Sequence, residues 1–148
     1  MKKICLTLMM VVMATAIFAQ SAPLSKGDKQ LNFGLGFSYW GLPLYAGMDF
    51  AFHDDWTAGP VLRVNIDDDI SFGAVGRVDY HWNRLLEIPS NWDFYLGASL
   101  GVNIGNDIDP ALGLQLGGRY YWSDRWGVNL EFGGGTYYGG AIGLSVKL

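Results

Sequence analysis

The chain has 148 residues, of which 50% are hydrophobic and only 16% are charged, and it contains 21 glycines and 6 tryptophans. This apolar content excludes intrinsic disorder, which requires low hydrophobicity and high net charge. The net charge of −4 argues against a broad basic face for nucleic acid. A chain of this length is expected to form one domain.

The N-terminus has the pattern of a secretory signal peptide. Two lysines precede the uncharged apolar run 4–18, and Ala19 is a small residue at the expected cleavage site. The apolar run is too short to cross a bilayer as a helix. The predicted division of the chain is a signal peptide at 1–19, a short segment at 20–28 and one domain at 29–148. Because Cys5 would leave with the signal, packing and backbone pairing must hold the mature chain.

Alternation of apolar with polar or small residues dominates the rest of the chain. Successive side chains of a strand point to opposite faces, so each alternating run predicts a strand with one apolar face. In chain order the predicted strands are residues 30–39, 44–52, 57–66, 72–82, 92–104, 112–122, 126–133 and 141–148. At Pro60 we predict a bulge or local irregularity, or else a later start of that strand, because proline cannot donate a ladder hydrogen bond.

Short, turn-like connections separate the runs, which favours hairpins between consecutive strands. Eight strands of about nine to eleven residues suit a closed barrel that spans a bilayer at a tilt of about 45°. The predicted fold class is therefore all-β, an eight-stranded antiparallel up-and-down transmembrane β-barrel. The longest connection, 83–91, is expected at the end that carries both termini, where a partner could contact it.

Side-chain volume and charge predict which face points inward. Of fourteen glycines in the predicted strands, twelve lie on the polar face, and only Gly76 and Gly118 lie on the apolar face. A narrow barrel has little interior room, so the glycine-rich face belongs inside. That face also carries equal numbers of acids and bases, as a confined lumen requires. The predicted lumen charge network is Asp49, Arg63, Arg77, Asp79, Asp93, Arg119, Glu131 and Lys147.

Five of the six tryptophans flank the connections at one end of the predicted barrel. Such clustering is typical of an aromatic girdle at a membrane interface. The predicted interface aromatics are Trp56, Trp82, Trp92, Trp122 and Trp126. A lipocalin-like soluble barrel, with its apolar face inward, is the alternative that this pattern disfavours.

Beside the signal peptide, the distinctive segments are GRVDYHW (76–82), DFYLGASLGVN (93–103), GGRYYW (117–122), WGVNLEFG (126–133) and the terminal strand 141–148. Together they resemble the small outer-membrane β-barrel proteins of Gram-negative bacteria, the OmpA/OmpX-like eight-stranded class. The resemblance covers about residues 29–148 and specifies architecture rather than activity. It implies termini and turns on the periplasmic side, loops at the cell surface, and recognition of the last strand by the barrel-insertion machinery.

We predict a non-enzymatic protein of the outer membrane with a structural or surface-contact role in the envelope. Its expected partners are outer-membrane lipid, lipopolysaccharide and the insertion machinery, with no nucleic acid, metal or cofactor, and we expect a monomer. We expect the lumen charges to pair into a plug that fills the interior. A narrow channel or a small-ligand-binding barrel is the alternative.

Two further alternatives depend on particular side chains. Clustered loop carboxylates attract hard cations, and the candidates are the three aspartates at 67–69 with Asp107 and Asp109. A lipid A hydrolase would need a Ser, His and acid set on the outer surface. The nearest approach is His81 with Asp79 and Glu131, but we predict that these side chains point inward.

Overall fold

The computed structural model describes residues 23–37, 42–66, 70–136 and 139–148. Within these ranges the chain forms β1 (Lys29–Phe37), β2 (Leu42–His53), β3 (Trp56–Ile66), β4 (Ile70–His81), β5 (Trp92–Ile104), β6 (Ile108–Tyr121), β7 (Trp126–Gly135) and β8 (Gly140–Lys147). No helix in this described part is both long and apolar enough to cross a bilayer. The predicted signal peptide at 1–19 and the candidate cation ligands at 67–69 lie outside the described residues.

The eight strands form one closed barrel in which each strand pairs with its neighbours in sequence. All pairs are antiparallel, and β1 closes the barrel against β8 from Gln30 opposite Lys147 to Phe37 opposite Gly140. The predicted up-and-down barrel is therefore confirmed. Both termini of the barrel and the β2–β3, β4–β5 and β6–β7 connections lie at one end, called here the terminus end; the opposite end is the loop end.

The predicted connection between the strands at 92–104 and 112–122 is shorter in the structure, because β6 begins at Ile108 rather than at Leu112. Pro110 lies within β6 opposite Val102. Its carbonyl accepts a hydrogen bond from the Thr136 hydroxyl at 3.1 Å. The nitrogen and the carbonyl of a strand residue face the same side. The Pro110 nitrogen, which carries no hydrogen, therefore faces the β7 side at a position beyond the end of the β7 ladder. A proline at that position removes no ladder hydrogen bond.

The irregularity expected at Pro60 lies on the β2 side of β3. Pro60 pairs with Gly76 of β4, but the β2–β3 pairing skips from Gly47–Val61 to Phe50–Ala58. A register shift follows between Ala51 and His53. The ladder thus adapts where proline lacks its donor, and the strand continues through it.

The two faces of the barrel are opposite in polarity. Apolar side chains face outward along the strands, and Leu62, Leu114 and Phe132 are 61%, 67% and 64% exposed. Polar and charged side chains face inward and are buried, with Gln30 and Ser145 both at 0% exposure. A soluble fold would place these groups the other way round, so the outer surface suits a hydrocarbon environment.

Candidate functional site in the barrel interior

Inward-facing glycines make the space that the interior side chains occupy. A Cβ on Gly117 would overlap the ring of Tyr95, and one on Gly97 would overlap the carboxylate of Asp79. The outward-facing Gly76 differs, since a Cβ there would meet nothing closer than a backbone oxygen at 3.8 Å. The excess of glycine on the polar face therefore reflects crowding inside a narrow barrel.

Arg119 is the centre of the first group of buried ion pairs. Its guanidinium lies 2.7 Å from Asp49 Oδ2 and 3.0 Å from Asp93 Oδ2. The other oxygen of Asp93 lies 2.7 Å from His81 Nδ1, and His81 Nε2 lies 3.0 Å from the Thr57 hydroxyl. Since each of these side chains is buried, every charge in the group faces a partner of opposite sign or a hydrogen-bonding group. The group joins β2, β3, β4, β5 and β6.

Arg77 forms the second group with two acids. Its Nε lies 2.6 Å from Asp79 Oδ2, and its NH1 lies 2.7 Å from Glu131 Oε1. Glu131 also accepts a hydrogen bond from the Tyr95 hydroxyl at 2.6 Å. Gln115 donates to Asp79 at 3.1 Å. The second group thereby joins β4, β5, β6 and β7.

The ring of Tyr95 lies between the two groups. The guanidinium carbon of Arg119 lies 4.2 Å from the centre of this ring, and that of Arg77 lies 5.2 Å from it. Both distances are within the range of cation–π contacts. Tyr95 therefore couples the two ion-pair groups into one interior network.

A chain of side-chain hydrogen bonds crosses the seam between β1 and β8. The Tyr45 hydroxyl donates to Asn129 at 2.6 Å, and Asn129 donates to the Ser145 hydroxyl at 3.0 Å. Ser145 donates to Asn32 at 2.7 Å, and Asn32 donates to Asp49 at 2.8 Å. This chain connects the closing seam to the first ion-pair group.

Six of the eight predicted lumen charges make up the two ion-pair groups. The other two are Arg63 and Lys147. Arg63 is buried on β3 near the loop end, opposite Gly73. Lys147 is partly buried at the terminus end, with its ammonium 4.1 Å from the centre of the Tyr121 ring.

Sequence reasoning missed the inward tyrosines Tyr45, Tyr95 and Tyr121. Each lies at a polar-face position of its alternating run, and this position was the available signal. It also missed a small apolar cluster inside the barrel, formed by Val61, Val75 and Ala111. On β3 and β4 this cluster lies between Arg77 and the loop end, with Tyr45 packed against it. The interior is thus filled by apolar as well as ion-paired side chains.

The five predicted interface tryptophans all lie at the terminus end, on or beside the connections. Trp56, Trp92, Trp122 and Trp126 are 41%, 43%, 54% and 42% exposed, and Trp82 is partly buried. Further aromatic rings contact two of them. Trp56 lies 5.0 Å from Tyr80, and Trp92 lies 4.8 Å from Tyr120, centre to centre. This aromatic belt lies on the outer surface of the terminus end, along β3 to β7.

The 83–91 connection is held firmly at the same end. Arg84 donates to both oxygens of Asp55 at 2.7 and 2.6 Å, and this hydrogen bonding raises the pKa of the Arg84 guanidinium. Asn83 donates to the backbone oxygen of Trp92 at 2.5 Å. The connection leaves Leu85 70% exposed.

The residues of the hydrolase alternative point inward, as expected. His81 contacts Asp93 and Thr57 rather than Asp79 or Glu131, and all five side chains are buried. These residues therefore form no catalytic set on the outer surface. In the described ranges, no three histidine, cysteine or acidic side chains are grouped as a metal site would need.

An apolar exterior around an ion-paired interior gives this chain the fold of transmembrane β-barrels. It is similar to a transmembrane β-barrel designed de novo, with a TM-score of 0.67 and 18% identity over 84% of this chain and 98% of that chain. It is also similar to the N-terminal β-barrel domain of Pseudomonas aeruginosa OprF, with a TM-score of 0.63 and 12% identity over 84% and 100%. The OmpA-like barrel architecture is thus confirmed as a fold. No family model and no curated protein match the chain.

Proposed function

We propose that the chain is an integral protein of the bacterial outer membrane that serves the envelope as a closed, non-enzymatic structural barrel. The observation that carries the proposal is the inverted polarity of the barrel. Its outer face is apolar along every strand, and its inner face buries the charged groups in ion pairs. Water would penalise such an exterior, whereas a bilayer core favours it.

The aromatic belt supports a position of the terminus end at a membrane interface. Tryptophan and tyrosine prefer the level of the lipid headgroups, which are present on both sides of a bilayer. The resemblance to outer-membrane barrels, whose termini and turns face the periplasm, assigns the terminus end to the periplasmic interface and the loop end to the cell exterior. Export would use the signal peptide at 1–19, and the barrel-insertion machinery would recognise β8. The barrel works as a monomer in contact with phospholipid and lipopolysaccharide.

The filled interior favours a structural role over conduction. Tyr95 and the two arginines occupy the middle of the lumen, and Val61 and Val75 obstruct it nearer the loop end. Eight-stranded barrels have interiors just wide enough for side chains to fill. A surface contact of the envelope would then use the loop end rather than the lumen.

Two measurements test this function. The protein extracted in detergent should migrate differently in a gel before and after boiling, as a barrel with intact strand pairing does. In planar bilayers it should give no large, stable conductance. A protein that is fully soluble without detergent would overturn the membrane assignment, and a steady conductance would favour the narrow-channel alternative.

A further inference from the structure

The N-terminal segment 23–28 makes a tight turn immediately before β1. The Asp28 backbone donates to the Ser25 oxygen at 2.9 Å, and the Ser25 backbone donates to Asp28 Oδ2 at 2.8 Å. Gly27, inside the turn, has a φ of +100°, which glycine adopts without the strain that a side chain would bring. The turn therefore reverses the chain and directs residues 23 and 24 back toward the barrel.

The turn is fixed to the β2–β3 corner at the terminus end. Gly27 donates to the Ala51 oxygen at 2.8 Å, and the Ala51 backbone donates to the Asp28 oxygen at 3.0 Å. The Lys26 backbone donates to Asp54 Oδ1 at 2.9 Å. Three backbone contacts thus give the segment a defined position on the barrel.

The start of the segment lies across the mouth of the lumen. Pro23 and Ser25 line a polar cavity of about 370 Å³. The same cavity is lined by Asn91, directly before β5, and by Tyr121, the last residue of β6. Because β5 lies opposite β1 in the closed eight-stranded barrel, the segment runs from one side of the mouth to the other.

Leu24 is the buried side chain of the segment. It is only 3% exposed, whereas the neighbouring Ser25 and Lys26 are exposed. Pro23 and Ser25 line the polar cavity, but Leu24 does not. The Leu24 side chain therefore lies on the barrel side of the segment, away from the cavity.

Inward side chains at this mouth are buried although their strands end there. Ala51 lies two residues before the end of β2, Thr57 is the second residue of β3, and His81 is the last residue of β4. All three are buried. An open mouth would leave such positions in contact with water, so the mouth is covered. Since Thr57 and His81 belong to the first ion-pair group, that group is covered with it.

We propose that segment 23–28 is a strap that closes the terminus-end mouth of the lumen, with Leu24 as the side chain that seals it. The strap excludes water from the first ion-pair group, where a lower dielectric strengthens the pairing of opposite charges. The turn at Gly27 is its hinge. This strap goes beyond the proposed function, and it requires the closed barrel but no particular orientation in a membrane.

The accessibility of a single thiol tests the seal. Cys5, the one cysteine of the sequence, is replaced by alanine, and Ala51→Cys places a thiol beneath the strap. A charged methanethiosulfonate reagent is added to the folded, full-length protein in detergent, and mass spectrometry follows the modification. We expect Ala51→Cys to react at least about tenfold more slowly than Ser90→Cys on the exposed rim, because the reagent reaches a covered thiol only when the strap opens.

Two strap variants open the seal by different means. Leu24→Ser replaces the apolar side chain by a polar one, and Gly27→Ala strains the turn although its Cβ would meet nothing within 4 Å. Each should raise the reaction rate of the Ala51→Cys thiol by about tenfold. Gly134→Ala is the matched control, because its Cβ also meets nothing within 4 Å and its φ is not positive. It should leave the rate unchanged.

A thiol at the loop end separates opening of the strap from loosening of the whole barrel. Ser71→Cys, at an inward position of β4 near that end, should react at the same rate with and without Leu24→Ser. An equal increase at both thiols would overturn the seal, because the strap would then stabilise the barrel as a whole.

Two other outcomes would also overturn the strap. One is a reaction of Ala51→Cys as fast as that of Ser90→Cys while the strap is unsubstituted. The other is an unchanged Ala51→Cys rate in both strap variants. Heat-modifiable migration checks the folding of each protein before the reagent is added. A failure of the proposed membrane function is therefore seen separately from a failure of the seal.

Discussion

The two ends of the barrel interior are built from different chemistry. Near the terminus end, Arg119 pairs with Asp49 and Asp93 in a fully buried ion-pair group. Near the loop end, β3 buries Arg63, and the neutral side chains of Asn65 and Ser71 form a hydrogen bond of 2.9 Å. Buried ion pairs are costly to break, whereas a single neutral hydrogen bond contributes little. The interior near the terminus end is therefore the less tolerant of substitution.

The outer surfaces of the two ends also differ in their chemistry. Tryptophans and the firmly held 83–91 connection lie at the terminus end. At the loop end the described strands finish in exposed isoleucines: Ile66, Ile70 and Ile108 are 57%, 63% and 72% exposed. The terminus end thus combines polar contacts of the 83–91 connection with aromatic rings. At the loop end, the apolar outer face extends beyond the ion-paired part of the interior. The terminus end therefore carries both the buried ion pairs and the aromatic anchors.

The largest effect is expected from Arg119→Leu, which leaves two buried carboxylates without their cation. We expect a loss of about 3–5 kcal/mol in the free energy of unfolding. Urea unfolding in lipid vesicles, followed by tryptophan fluorescence, measures it. Arg125→Leu is the matched control, because Arg125 is exposed at the same end and should change stability by less than about 0.5 kcal/mol. Equal losses in the two variants would contradict the importance of the interior pairs.

Gly117→Ala should have the next largest effect, because the added methyl group overlaps the Tyr95 ring between the two ion-pair groups. We expect a loss of about 1–3 kcal/mol, as is usual for overpacking. Gly76→Ala adds the same methyl group on the outward face and should be nearly neutral. The same unfolding assay compares them. A neutral Gly117→Ala would show that the interior has more room than the structure indicates.

At the loop end, Asn65→Ala removes the hydrogen bond to Ser71. We expect a loss of about 0.5–1.5 kcal/mol, the usual contribution of a neutral hydrogen bond. Asn129→Ala is the comparison, since Asn129 is buried with Tyr45 and Ser145 as partners and should cost more. The contrast between the two ends would be lost if the Asn65 variant proved the less stable of the two.

The smallest effect on stability is expected from Arg84→Ala, since the Arg84 side chain is largely exposed. The substitution should instead loosen the 83–91 connection, because the contacts to Asp55 are lost. Limited proteolysis of the protein in vesicles should therefore cleave the variant faster within this connection. Lys26→Ala, on an exposed residue of the same end, serves as the control. Unchanged cleavage of the Arg84 variant would show that Asn83 alone holds the connection.

Much of the fold follows from local sequence pattern. Alternation places each side chain on a face, so the inward position of Asp93 or Glu131 is predictable without a structure. The start of β6 is not predictable in this way. Asp109 and Pro110 are typical turn residues, and a strand is possible there because β7 does not pair with these positions. Local pattern predicts strands where the chain is regular and fails where neighbouring strands decide.

Which charged side chains pair with each other cannot be predicted from the sequence, for a related reason. Arg119 contacts Asp49 across 70 positions of the chain. Which charges meet depends on how far the strands are staggered around the closed barrel, and alternation carries no information on that stagger.

The hydrogen bond from Ser145 to Asn32 connects residues that are 113 positions apart. It forms only when the first and last strands meet, so it marks closure of the barrel. Long-range pairing of this kind is slow, because the chain loses the entropy of a long loop before the contacts form. Until that step, β1 and β8 present open edges whose backbone groups could pair with another chain. The rate of seam closure therefore sets how long the folding barrel is exposed to aggregation.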